Sequence, residues 1–164
     1  MMELTQDNKQ FVSVEAHKGR TIAARLTPGT DLVSGIEAVC HKHHIEYGYF
    51  GSVMGSLSQA TYIIPLKDPT QPLGFRFCEP IEVDGPIDLL GGQGVICQSE
   101  KGELMIHLHA QGVTPDRVVF GGHFSAGGNP VLATIDLVIV EFDGAKLMRR
   151  YDPQSGLMAF SPEL

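Results

Sequence analysis

LMIHLHAQGVTPDRVVFGGHF, residues 104–124, reads as a strand, a turn and a second strand. In the first strand Leu104, Ile106 and Leu108 fall on one face, and Met105, His107 and His109 on the other, because successive strand side chains alternate. His107 and His109 are therefore neighbours on one face, roughly 7 Å apart by strand geometry. Thr114-Pro115-Asp116 supplies turn chemistry. The second strand sets Val119, Gly121 and His123 on one face and Phe120, Gly122 and Phe124 on the other. Paired in the right register, His123 joins the other two histidines. Three converging imidazoles suit a transition metal, zinc first. The ordinary alternative is a set of half-buried histidines with no ligand.

Downstream, Ser125 to Pro130 is a turn, and VLATIDLVIVEF (131–142) is the longest β-rich run. Its interior is apolar on both faces, as in a central strand. Asp136 interrupts it, and a buried carboxylate needs a partner. Asp143-Gly144 predicts a tight hairpin into residues 146–151. The end, GLMAFSPEL, predicts a short edge strand.

Upstream, Ile87 to Gln98 predicts a strand with Gly91, Gly92 and Gly94 marking a bulge or a close approach. Phe75 to Val83 is another strand region, interrupted by Pro80, and Pro65 to Gly74 reads as a surface loop. Residues 47–64 read as two strands, YGYFGSVMGSL and SQATYII, with the GSVMGS element as turn chemistry rather than a phosphate loop. Residues 31–46 carry the helical signal: Leu32, Ile36, Val39, Cys40 and His43 form a stripe, capped by Thr30 or Asp31. His41, His43 and His44 lie there beside Cys40, but the spacing scatters them around the helix. A helix end favoured by the dipole is the simpler account. Residues 11–26 predict a hairpin turning at Lys18-Gly19, and residues 1–9 a frayed start. The sum is an α+β chain with a mainly antiparallel β-sheet and one main helix, read as a single domain over 1–164.

The 164 residues carry 19 acidic against 12 basic side chains, a net charge of −7. That balance disfavours nucleic acid as a partner, because phosphate neutralisation supplies most non-specific affinity. Cys40, Cys78 and Cys97 are far apart and odd in number, which fits reduced thiols. The polar start and the absence of a long apolar run predict no membrane segment and a cytoplasmic location.

The run from His107 to Phe142 resembles the signature half of the plants and prokaryotes conserved domain, the PPC or PCC family, in its stand-alone bacterial type. The matching features are His107 and His109, Gly121-Gly122-His123, Gly127-Gly128, and Thr134-Ile135-Asp136, where the family often has Glu. Arg25 to Gly29 and Gly51 to Leu57 match its earlier half, so the resemblance spans roughly residues 20–142 with further strands over 143–164. It implies a largely antiparallel sheet beside one main helix, a homotrimer, and a divalent metal, zinc first, on His107, His109 and His123. Plant relatives bind DNA through an added AT-hook, which this sequence lacks.

Two functions follow as expectations. One is an unknown small molecule bound, or a reaction carried out, at the metal's open position, with Glu103 or Asp136 orienting an imidazole or accepting a proton. No catalytic residue is assigned. The other is a nucleic-acid or regulatory module whose basic patch starts from Lys146, Arg149 and Arg150.

Overall fold

A half-buried antiparallel sheet needs period-two strands and something apolar to cover one face. The computed structural model describes residues 11–153 and 155–164; the expected frayed start lies outside them. Its elements, in order, are β1 (His17–Leu26), α1 (Leu32–His43), β2 (Gly48–Ile63), β3 (Pro65–Lys67), β4 (Phe75–Phe77), β5 (Ile81–Ser99), β6 (Leu104–Val113), β7 (Val119–Phe124), β8 (Val131–Asp143), β9 (Lys146–Asp152) and β10 (Leu157–Glu163).

Eight strands form one sheet in the order β1-β8-β2-β7-β6-β5-β9-β10, and β3 pairs with β4 in a separate hairpin. All pairs are antiparallel except β5 with β9, which run parallel at Gln98 against Met148 and Ser99 against Arg149. Strand β2 also pairs with β5, so β2, β5, β6 and β7 close on one another. The core gathers Phe50, Val53, Leu57, Leu89, Leu108 and Phe124 with Leu32 and Ile36 of the helix.

Helix α1 begins where Asp31 accepts from the Ser34 amide at 3.0 Å. The other carboxylate oxygen accepts from the amides of Gly128, at 3.1 Å, and Asn129, at 3.0 Å. One side chain thus caps the helix and ties the loop before β8 to it. Leu32, Val33, Ile36 and Cys40 are buried. His44 closes the helix in the left-handed conformation, so the helix stops short of residue 46. His43 is half-buried rather than part of the apolar stripe, and His41 and His44 are exposed. The histidine-rich end is a helix terminus.

Burial pushes the Asp31 carboxyl up, but hydrogen bonds from the amides of Ser34, Asn129, Gly127 and Gly128 outweigh it and hold it below its ordinary value. A carboxyl depressed in the folded state stabilises above its unfolded pKa of about 3.9, and loses that contribution as pH falls through the folded value. Asp31→Ala is expected to cost about 2 kcal/mol at pH 7, the upper end for a lost N-cap. Urea unfolding should show the wild-type advantage disappearing in strong acid.

Several expectations are corrected. Residues 11–26 do not form a hairpin: β1 is one strand, paired with β8 on both sides of an irregularity at Lys18 to Thr21. Arg20 inside that irregularity grips Glu141 through Nε and Nη2, both at 2.7 Å. Residues 47–64 form one strand, not two. Register shifts at Phe50 to Ser52 and at Gly55 to Leu57 do not end β2; Gly55, at φ 148°, sits where a side chain would collide with the Thr134 carbonyl of β8. The segment 65–74 is partly a hairpin arm. Strand β8 is not buried on both faces. Ile135, Leu137 and Ile139 are buried while Asp136 and Val138 are exposed, so Asp136 is a solvent-facing carboxylate opposite Arg25. Cys40, Cys78 and Cys97 are free thiols. Among the described residues no helix is long and apolar enough to cross a membrane.

Candidate metal centre

Strand β6 alternates as its sequence demands. Leu108 and Ala110 are buried in the core, which turns His107, His109 and Gln111 to the other face. The turn after β6 fixes what comes next: Thr114 N–H donates to the Val118 carbonyl at 3.0 Å, and Arg117 N–H to the Thr114 carbonyl at 2.9 Å. This sets β7 so that His123 lies directly opposite His109 and Gly121 opposite Gln111. Strand β7 is held from behind by Tyr62, whose ring stacks on Phe120 at 5.3 Å and Phe124 at 5.9 Å.

The three rings meet. Centroids are 5.0 Å apart for His107 with His109, 5.0 Å for His107 with His123, and 5.4 Å for His109 with His123. One ligand nitrogen from each lies within 4.8 Å of the others. The Nε2 atoms of His107 and His109 are 3.2 Å apart. A tetrahedral zinc with Zn–N bonds of 2.0–2.1 Å sets its nitrogens about 3.3 Å from one another. All three donors match such an ion in type, and the His107–His109 pair matches it in spacing.

Arg149, expected with Lys146 and Arg150 to start a basic patch, reaches into this site from β9. Its Nη2 contacts Nδ1 of His107, and its Nη1 donates to the Met158 carbonyl at 2.9 Å. The guanidinium therefore places its charge against that ring. Burial pushes the His107 imidazole down to about 4, with the Arg149 charge and the other two histidines adding to the effect. Burial also lowers His123, followed by His109 and Arg149. Both rings are neutral at pH 7, the state that ligates metal.

The two carboxylates expected to support the imidazoles do not. Glu103 is exposed and accepts from the Ser99 hydroxyl at 3.3 Å, within its own turn. Asp136 faces solvent on β8, where the Thr134 hydroxyl donates to it at 3.5 Å. Nor do the basic residues form one patch. Alternation along β9 turns Arg149 inward, while Arg150 pairs with Glu163 at 3.0 Å.

Residues 13–143 match the Plants and Prokaryotes Conserved (PCC) domain. The chain belongs to the PCC-domain family. The PCC fold is shared with solved structures: a metal-containing protein of Archaeoglobus fulgidus (TM-score 0.78, 20% identity, covering 92% of this chain and 99% of that one), and a plant- and prokaryote-conserved protein of Pyrococcus horikoshii (TM-score 0.75, 24% identity, 94% and 99%). A candidate DNA-binding protein of Bacteroides thetaiotaomicron has the same fold (TM-score 0.71, 17% identity, 89% and 96%). Among curated proteins, the bifunctional protein GlmU of Synechococcus sp. strain JA-3-3Ab is 27% identical over 139 residues, 85% of this PCC chain and 20% of GlmU. The chain thus spans about a fifth of that relative.

Proposed function

We propose that this PCC-domain protein binds a divalent metal, zinc first, through His107, His109 and His123, and that the open side of the ion receives a small molecule. The observation that carries this reading is the convergence of three imidazole nitrogens within 4.8 Å, with no carboxylate or thiol in the group. Structural zinc sites close all four positions with protein ligands, whereas three-ligand sites leave one for substrate. A metal so held supplies Lewis-acid polarisation of a bound oxygen. The metal-containing Archaeoglobus relative supports the reading by analogy. Cobalt(II) tests it: the wild-type protein is expected to take up one ion and show the intense visible absorption of four-coordinate cobalt, shifted by added azide. A pale six-coordinate spectrum would count against an open tetrahedral site.

We also propose that the protein is a homotrimer. Tyr49, Met54, Leu132 and Val138 are exposed apolar side chains on the faces of β2 and β8 away from the core, and such a surface favours association. Light scattering should give three times the chain mass of 17.8 kDa; a monomer would contradict this. A nucleic-acid module is the weaker reading, given the net charge of −7 and the engagement of Arg149 and Arg150 within the chain.

A further inference from the structure

Beside His109 lies a recess of ≈ 380 Å³, a size that suits a small metabolite. It opens where two strands part. The β2–β5 ladder runs from Gly48–Phe50 against Gly94–Ile96 and resumes at Gly55 against Leu89. Gly51 of β2 and Gly91, Gly92 and Gln93 of β5 border the interval, with His109 and Gln111 of β6 beside them. Gly51 and Gly91 are not dictated by packing. A Cβ on Gly91 would meet nothing within 4 Å, and one on Gly51 only the Tyr49 ring at 3.9 Å. Neither has a left-handed φ. A strand glycine with no such need weakens the strand, and here two of them leave open space next to a candidate ligand nitrogen.

The chemistry of the lining narrows the occupant. Gln93 and Gln111 bring carboxamides, and no carboxylate lines the recess. A dication on three neutral imidazoles adds positive charge beside Arg149, which pairs with no carboxylate among the described residues. Such a centre favours an anionic ligand group.

Resting on the metal reading above, we propose that the recess is a ligand subsite for small carboxylates with an amide-like body. The carboxylate takes the open metal position, and Gln93, Gln111 and the glycine-lined backbone hold the polar body.

The test uses the full chain loaded with cobalt(II), followed by visible absorption. The probes are acetate, which reaches only the metal, and N-acetylglycine, whose amide extends into the recess. In the wild type N-acetylglycine is expected to bind about tenfold tighter than acetate, the gain from one or two well-made hydrogen bonds. Gly91→Val and Gln111→Leu should each remove most of that gain while leaving cobalt content and acetate affinity unchanged. Equal affinities in the wild type, or a gain that survives both substitutions, would overturn the subsite while leaving the metal reading intact. A change of oligomeric mass in Gly91→Val would also overturn it, showing that a second copy fills the recess. Failure to take up cobalt would overturn the metal reading and the subsite together.

Discussion

His109→Ala is expected to lower metal affinity by more than about 100-fold, beyond the 10–100-fold typical of losing an outer partner of a ligand. His109 is the most informative of the three because its side chain is exposed, so truncation opens no cavity and the fold should persist. Its neighbours Leu108 and Ala110, which anchor β6 in the core, are untouched. Competition against a chromophoric chelator gives the affinity, and urea unfolding of the metal-free protein gives the control. Unchanged metal-free stability with lost affinity would assign the effect to ligation. An affinity within a few-fold of wild type would remove His109 from the site.

Phe124→Ala should destabilise the metal-free protein by about 3–5 kcal/mol, the range for a buried aromatic truncated to alanine. Phe124 has no exposed surface. It stacks on Tyr62 and faces Leu108 across the β6–β7 pair. It also follows His123, so its loss should loosen the end of β7 that aims that imidazole. Two effects are expected together: a lower urea midpoint and weaker metal binding. Normal affinity in a destabilised variant would show that the β6–β7 register alone positions His123.

The local parts of this site were legible in the sequence. Alternation put His107 and His109 on one face, and Gly121-Gly122 before His123 marked a strand without room for side chains. Register was not legible, since a one-residue slip would have turned His123 to the other face. The turn bonds at Thr114 to Val118 settle it. Arg149 was hidden for a different reason. It lies 42 residues from His107 in sequence, and only the parallel pairing of β9 with β5 brings it near. The glycines of β2 misled in the opposite direction. They look like turn chemistry, yet close contact with β8 needs Gly48 and Gly55 inside a continuous strand. Asp136 misled because apolar neighbours suggested burial on both faces, whereas β8 covers the core with one face and presents the other to solvent.

The most direct test of the three-histidine centre is elemental mass spectrometry of the wild-type protein, as purified and after reconstitution with zinc. About one divalent ion per chain is expected, the stoichiometry of one three-imidazole site. A metal-free protein that stays metal-free after reconstitution would contradict it and leave the three histidines as side chains held by Arg149 and one another.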